Sequence, residues 1–367
     1  MFAAIMIELE LYCELLNLVA HFAGFSVRQA NLDDPSECRR IDSFVADHPE
    51  AELFHRPGWT RAVERGTGQA GRYLLAEDPA GRLTGLLPLT RIRSPLFGSA
   101  LVSTGFGVGG GIVAGTGMAV EALSAAAWSL AEREGCPSVT LRGGRLPEGW
   151  RREEGVAAGF LRDLPASEEA ILKSIPRKQR AEVRRSLTLG LEVSRGRSAE
   201  TLDDHYRVYC ESVRNLGTPV FPKSLFEAMA REWGEDCDIV LVRSEGRPIA
   251  AVLSLYFKGV VHPYWGGGTR AARGLRANDL LYYSLMLHSA ERGCTGFDFG
   301  RSKVGSGAYS FKKNWGFEPR PLTYATKGAN RDLNPRSPRY RLQTAAWRRL
   351  PLPIANRLGP LLSRGLG

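Results

Sequence analysis

The chain has 367 residues and a mass of 40.3 kDa, a length that suits two domains better than one core. Its 41 Gly and 21 Pro residues make up roughly 17% of the chain, below the range of about 25–30% found in disordered chains, which excludes low-complexity classes. The net charge of +10 is uneven, because residues 1–165 carry −4, whereas residues 166–330 and 331–367 carry +7 each. This asymmetry predicts that the second half meets an anionic partner.

The cysteines and the N-terminal segment indicate the compartment. The six cysteines form no C-x-x-C pair, which excludes a disulfide framework and a paired zinc site and predicts reduced thiols and no metal. Residues 1–25 are apolar but carry Glu8, Glu10 and Glu14 and no Lys or Arg. Signal peptides and membrane spans have a different pattern, so we interpret this segment as an apolar extension of a cytoplasmic protein, either a docking helix or an addition upstream of the natural start.

Secondary structure in the first half follows a simple order. Helical patches surround Phe44 and residues 59–63, and Pro49 and Pro57 are expected to interrupt them. Residues 119–134 are Ala-rich and predict a helix. The remaining periodic segments predict strands at 26–30, 73–77, 83–92, 101–104 and 138–141, with a hairpin turn at 78–81.

The same order recurs in the second half. Its periodicity predicts helices at 176–189, 202–215, 223–233 and 278–292, and strands at 239–243, 248–257, 260–265 and 296–299. A repeat of about 150 residues predicts two copies of one α/β (α+β) domain rather than a solenoid. We place the domains at 26–165 and 166–330, after the extension 1–25 and before a basic tail, 331–367.

A segment rich in glycine and arginine follows the strand predicted at 260–265. Three glycines, Gly266, Gly267 and Gly268, precede Arg270, Arg273 and Arg276, and a helix begins near Asn278 and Asp279. Glycines let backbone amides approach a ligand, and arginines at a helix N-terminus suit phosphate groups. The alternative is an exposed loop with solvated arginines.

Two further segments contain candidate catalytic side chains. In the predicted strand at 296–299, alternation places Asp298 opposite two phenylalanines, where it serves as a general base or pairs with Arg301. Lys312 lies among aromatic residues and is suited to stabilise an oxyanion or an anionic ligand. The alternative for Lys312 is an exposed position on a short amphipathic helix.

In the first half, two unusual segments are Phe54–Trp59 and Gly105–Gly111. The glycines match neither a Walker loop nor a dinucleotide-binding unit, so they predict only a close backbone approach. His205, His262 and His288 have no metal-ligand spacing, and we interpret them as structural. The sequence contains no DNA-binding motif, and we expect no DNA partner.

Taken in order, the motifs SIPRKQRAEVRRSLTLGLEV, YWGGG, FDFGRS and FKKNWGFEP resemble the FemAB-related proteins. The segments LFHRPGW, LPLTRIRSPLFG and STGFGVGGG resemble the branch associated with exosortase/PEP-CTERM exopolysaccharide systems. The resemblance extends over about residues 26–327. It implies two tandem GNAT-like (N-acetyltransferase-like) domains that face each other across a cleft.

The resemblance also implies a transferase activity and its site residues. An acyl- or aminoacyltransferase of this type moves an acyl group from acyl-CoA or aminoacyl-tRNA to a cell-envelope or exopolysaccharide precursor, with no tightly bound cofactor. Phe311 and Lys312 match the family's Phe-Lys pair, and with Asp298 they are the expected catalytic residues. The expected donor-binding residues are Tyr264, Gly266, Gly267, Arg270, Arg273, Arg276, Asn278 and Arg301. The expected acceptor-binding residues are His55, Trp59, Gly109 and Gly110.

This chain departs from the family pattern in two places. It lacks the long coiled-coil insertion, and Arg273 replaces a glycine of the loop by which acetyl-CoA enzymes hold their donor. Both donors therefore stay open, with tRNA among the candidate partners beside a nucleotide- or lipid-linked precursor. The alternative is a non-catalytic assembly factor, whose basic tail 331–367 would contact the inner face of the membrane.

Overall fold

The computed structural model describes residues 26–95, 98–329 and 341–365 of the chain. Within these ranges the protein consists of two α/β units, each built on a mainly antiparallel sheet. The predicted extension at 1–25 and the first ten residues of the predicted tail lie outside the described residues.

Over its described residues, the first unit contains nine strands and three α-helices. Its strands are β1 (Ser26–Gln29), β2 (Ala70–Glu77), β3 (Leu83–Ser94), β4 (Gly98–Ser103), β5 (Val113–Ala114), β6 (Ser138–Arg142), β7 (Arg151–Glu153), β8 (Ala157–Gly159) and β9 (Leu161–Asp163). Its helices are α1 (Pro35–Asp47), α2 (Pro57–Thr67) and α3 (Gly117–Arg133).

Proline begins two of these helices. The α-helix is interrupted between Asp47 and Pro57, as expected from Pro49 and Pro57, and Pro57 is the first residue of α2, where its missing N–H costs no hydrogen bond. Helix α1 likewise starts at Pro35, and the Asp34 carboxylate caps it by accepting a hydrogen bond from the Ser36 N–H at 2.8 Å. Helix α2 ends at Gly68, whose left-handed backbone (φ 71°) terminates the helix.

The second unit repeats the order of helices, hairpin, crossover helix and strand. Its helices are α4 (Glu168–Ser174), α5 (Arg177–Leu187), α6 (Ala199–Leu216), α7 (Lys223–Trp233), α8 (Arg270–Gly274), α9 (Ala277–Glu291) and α10 (Gly307–Asn314). Its strands are β10 (Glu192–Gly196), β11 (Cys237–Ser244), β12 (Arg247–Phe257), β13 (Val260–Gly268), β14 (Gly296–Asp298), β15 (Ser302–Lys303), β16 (Arg320–Pro321) and β17 (Tyr324–Gly328). Two tail helices follow, α11 (Arg341–Trp347) and α12 (Leu352–Ser363).

The two large sheets have matching topologies. The first has the order β1-β2-β3-β4-β6-β17-β7, with β5 paired to β3, and the second has the order β10-β11-β12-β13-β14-β9. Each sheet is antiparallel except for one pair of parallel strands, which is β4 and β6 in the first sheet and β13 and β14 in the second. In both sheets a crossover helix connects the two parallel strands. The predicted internal repeat is therefore present in the structure.

The sheets exchange one strand each. Strand β9 precedes the predicted boundary at residue 165 but pairs with β14 of the second sheet. Strand β17, near the end of the second unit, inserts between β6 and β7 of the first sheet. The division at 165 stays a prediction, and each sheet is completed by a strand from the other side of it.

A continuous apolar core joins the units. Helix α2 packs against α7, and Gly66 allows this approach because a Cβ there would overlap the Leu225 backbone. We call this contact between α2 and the second unit the seam. Trp59 is fully buried there and stacks on Trp265 of β13 with ring centroids 6.1 Å apart. Glu232 of α7 accepts hydrogen bonds from two arginines of α2, so charge pairing also crosses the seam.

The C-terminal helix packs back onto both units. Its inner face buries Ala355 and Gly359, and Gly359 lies against Val220. The Gln69 side-chain amide of the first unit donates a 2.7 Å hydrogen bond to the Arg364 carbonyl oxygen. Among the described residues, no helix is both long and apolar enough to cross a bilayer.

Candidate functional site

A cavity of about 420 Å³ lies between the two units. It sits at the gap where β13 and β14 diverge, since these parallel strands pair only at Val260 with Gly296 and Val261 with Phe297. The second unit provides most of the wall, and the first unit contributes Phe54, the 106–108 segment and Arg142. Concave sites of this kind between domains are typical ligand-binding positions.

Lys312 is the buried cation of this cavity. It lies on α10 with its side chain 9% exposed, and its Nζ donates hydrogen bonds to the carbonyl oxygens of Gly300 and Arg301 at 3.1 and 3.0 Å. Burial lowers the pKa of Lys312 to about 8, while the Asp298 carboxylate opposes this shift. The alternative of an exposed lysine therefore does not describe Lys312, although the neighbouring Lys313 is exposed.

Asp298 lies at the end of β14 and faces the same cavity. Its carboxylate accepts a hydrogen bond from the Gly300 N–H at 2.8 Å and lies 3.4 Å from Nδ1 of His262. Among the described residues, the side chain beside the Asp298 carboxylate is thus His262, and the alternative of a pair with Arg301 is not formed. His262, which we interpreted from the sequence as structural, belongs to the cavity wall.

Two arginines enter the cavity from opposite sides. Arg142 of β6 donates hydrogen bonds to the carbonyl oxygens of Thr104 and Gly107 at 3.0 and 2.7 Å. Arg301 places its guanidinium 5.4 Å from the centre of the Tyr324 ring on β17. Together with Lys312, they give the cavity three cationic side chains, an arrangement that favours anionic groups on a ligand.

Aromatic side chains connect the cavity to the seam. Phe106 has a left-handed backbone (φ 60°), unusual for a bulky residue, and its carbonyl oxygen accepts a 2.9 Å hydrogen bond from the Tyr264 hydroxyl. Tyr264, expected to bind the donor, and Phe311, expected to act beside Lys312, both line the cavity. The strained Phe106 backbone is therefore held by a hydrogen bond that crosses from one unit to the other.

The acceptor residues expected in the first unit lie behind this wall. Trp59 is buried and donates its indole N–H to the Gly105 carbonyl oxygen at 3.1 Å. His55 accepts the Glu52 backbone N–H on Nδ1 and contacts the Gly111 carbonyl oxygen through Nε2 at 2.9 Å. Burial lowers the pKa of His55 to about 4, so its ring is neutral. Their role in acceptor binding stays a prediction, and their positions suit shaping the wall.

Gly109 and Gly110 surround a carboxylate that the sequence interpretation missed. A Cβ at Gly109 would overlap the Glu52 carboxylate, and the Gly110 N–H donates a 3.1 Å hydrogen bond to the same group. Glu52 is exposed as a residue, but its carboxyl group is enclosed by these glycines, and this burial raises its pKa, as does the Asp298 charge. A single glutamate without a spacing pattern carries no sequence signal, because the glycines meet it only in the fold.

The expected donor residues divide into two groups. Tyr264, Gly266 and Arg301 line the cavity. The others, Gly267, Arg270, Arg273, Arg276 and Asn278, lie beyond it toward the start of α9.

In the second group, Arg270 and Arg273 are exposed, and Arg276 pairs with Glu182 of α5 at 2.7 Å. The Asn278 side-chain oxygen is buried without a hydrogen-bond partner among the described residues.

The three glycines form part of a strand, so the expectation that the strand ends at Trp265 is wrong. Strand β13 continues to Gly268, with Gly266 opposite Val252 and Gly267 opposite Ala251 of β12. Helix α6 packs against this part of the strand and explains the glycine at position 267, because a Cβ there would overlap the Ser212 hydroxyl of α6. Within the described ranges, no group of three or more His, Cys, Asp or Glu residues is arranged to hold a metal ion.

Comparisons with known proteins identify the fold. A family model described as an acetyltransferase (GNAT) domain matches residues 175–313. The crystal structure of FemX superposes with a TM-score of 0.63 at 16% identity, over 81% of this chain and 96% of that chain. No curated protein matches the chain in sequence.

Two further solved structures are similar over most of their length. A tandem GNAT protein from the clavulanic acid biosynthesis pathway has a TM-score of 0.53 at 13% identity, over 83% of this chain and 99% of that chain. L-PGS from Bacillus licheniformis has a TM-score of 0.51 at 16% identity, over 91% and 97%. At these identities the likeness shows the fold, and it confirms the predicted FemAB-like pair of tandem GNAT domains.

Proposed function

We propose that this protein is an acyl- or aminoacyltransferase that transfers an acyl group to an amine in the cavity between its two units. The observation that carries the proposal is Lys312, a buried ammonium group at the gap between β13 and β14. The donor is acyl-CoA or aminoacyl-tRNA, and the acceptor is a nucleotide- or lipid-linked precursor of the cell envelope or of an exopolysaccharide. The order of the sequence motifs supports an exopolysaccharide system of the exosortase/PEP-CTERM type, and the scattered cysteines without C-x-x-C pairs support a cytoplasmic location.

The cavity residues suggest a mechanism. The acceptor nitrogen attacks the carbonyl carbon of the thioester or ester, and the Lys312 ammonium stabilises the oxyanion that forms. Asp298, positioned by the Gly300 N–H and His262, accepts the proton from the attacking amine. Collapse of the tetrahedral intermediate forms the amide and expels the thiol of CoA or the ribose hydroxyl of tRNA, which takes up that proton. Phe311 packs beside the reacting ester.

Phosphates of the donor have two candidate contacts. Arg142 and Arg301 lie inside the cavity. Outside it, Arg270 and Arg273 are exposed near the start of α9, where the Asn278 side-chain oxygen has no hydrogen-bond partner within the part of the chain that the structure describes. An extended donor that reaches from the cavity to α9 would contact both groups, and the backbone of Gly266 and Gly267 would border its path.

The test compares two adjacent lysines. We expect Lys312→Ala to lower kcat by about 100-fold or more, the usual effect of removing an oxyanion-stabilising group, whereas Lys313→Ala stays near wild type. Turnover is measured with a panel of acyl-CoAs and charged tRNAs. If Lys312→Ala retains turnover within a few-fold of wild type, the assigned role is wrong. If neither donor class supports turnover or protects the protein against thermal unfolding, a non-catalytic assembly factor replaces the enzyme.

A further inference from the structure

The tail helices carry an unusual share of exposed apolar surface. Among the described residues, nine large apolar side chains are exposed, and five of them lie on α11, on α12 or at Leu216, which contacts the tail. The most exposed are Leu342 at 84% and Leu361 at 68%. Scattered apolar residues are normal on a protein surface, but a concentration of this kind marks a binding surface.

On α12 the exposed residues form one face. Ile354, Leu358 and Leu361 are spaced i, i+4 and i+7, so they lie in a single row along the helix. The opposite face buries the small residues Ala355 and Gly359 against the second unit. The helix packs on the protein through these small residues and Leu352, and its three exposed large apolar side chains lie on the outer face, where a surface helix ordinarily carries polar residues.

The charged residues of the tail helices are all basic. Residues 341–365 contain five arginines and no Asp or Glu. Arg348, Arg349 and Arg357 are exposed, and Arg357 lies on α12 itself, three residues after Ile354 and four before Leu361. Two copies of this chain that met through the tail would bring like charges together, which disfavours a dimer. An apolar row flanked by arginines instead complements a surface that is both apolar and anionic.

We propose that α12 lies on an anionic phospholipid surface, with Ile354, Leu358 and Leu361 inserted at the boundary between headgroups and acyl chains. Arg348, Arg349 and Arg357 contact the lipid phosphates in this orientation. Helix α12 adjoins the cavity through its inner face rather than its lipid-facing row, because Gly359 packs on Val220 and the next residue, Phe221, lines the cavity wall. This inference needs no catalysis, and it stands or fails separately from the proposed transferase function.

The experiment is vesicle flotation with the full chain. Vesicles of phosphatidylcholine with ~30 mol% phosphatidylglycerol are compared with pure phosphatidylcholine, because the proposal commits to an anionic surface. We expect the protein to float with the anionic vesicles only, and we expect the triple variant Ile354→Ser, Leu358→Ser, Leu361→Ser to lose roughly tenfold in bound fraction. The variant Arg357→Glu tests the charge separately and should also bind less.

The matched control is Met118→Ser, which removes an exposed apolar side chain far along the chain from the tail. It should leave flotation unchanged, and thermal melting confirms that every variant is folded. Equal binding to both vesicle types overturns the proposal, as does an undiminished signal from the triple variant, which would assign binding to another segment such as residues 1–25. Absence of flotation, or a concentration-dependent dimer lost in the triple variant, overturns it as well.

Discussion

Replacement of Lys312 by methionine tests the electrostatics of the cavity through protein stability. Burial lowers the pKa of this lysine from 10.5 to about 8, so between these two pH values the unfolded chain binds more protons than the folded one. Stability contributed by Lys312 must then rise with pH through this window. From pH 7 to pH 9.5 the linkage relation gives a gain of about 2 kcal/mol in the free energy of unfolding. The Lys312→Met variant lacks this gain.

The assay is urea unfolding followed by tryptophan fluorescence at pH 7 and pH 9.5. Other groups titrate in this range, so the informative quantity is the difference between wild type and variant, which cancels their contribution. Lys313→Met, one residue along the same helix and exposed, serves as the matched control and should follow wild type. If the wild-type and Lys312→Met curves shift in parallel, to within about 0.5 kcal/mol, Lys312 is not a buried ammonium group.

Three further predictions concern the seam, the glycine segment and the missed carboxylate. Trp59→Ala removes a fully buried indole and should lower the free energy of unfolding by about 3–5 kcal/mol, measured by urea unfolding, and a loss below about 1 kcal/mol would contradict its place in the core. Gly111→Ala should lower the melting temperature because a Cβ there overlaps a backbone carbonyl, whereas Gly117→Ala, with open space around it, should not. Glu52→Gln should raise the KM for an amine acceptor roughly tenfold if its charge acts on the neighbouring cavity, while Glu50→Gln leaves KM unchanged, and an unaltered KM for both would show that Glu52 plays no part in acceptor binding.

Local sequence patterns correctly predicted the elements whose conformation is determined by residues within the element itself. Helix α7 has the predicted bounds, because Leu225, Phe226, Met229 and Trp233 recur at helical spacing and all face the core. The hairpin turn at 78–81 is also present, since the Asp78 side chain accepts hydrogen bonds from the backbone of its own turn. For such elements, about a dozen consecutive residues are enough to predict the structure.

Other features depend on contacts between distant parts of the chain. Strand β17 is five residues long, and its partners on β6 and β7 lie far earlier in the sequence. Gly266 and Gly267 have low strand propensity, yet β12 pairs with them, and α6 leaves no room for a side chain at Gly267. The role of Glu52 similarly arises only when the glycine segment closes around it. The cations of the cavity were partly foreseen, as Lys312 and Arg301 were expected there and Arg142 was not.

The insertion of β17 between β6 and β7 has a consequence for how the protein folds during its synthesis. Until Tyr324 leaves the ribosome, one edge of β6 has no partner, and the delay after β7 corresponds to about 10–30 s at ordinary rates of synthesis. An open strand edge of this kind invites pairing with other chains. The nascent first unit is therefore prone to aggregate until β17 pairs with β6. Truncated chains that end between residues 154 and 323 keep this edge open, and we expect them to depend most strongly on chaperones during expression.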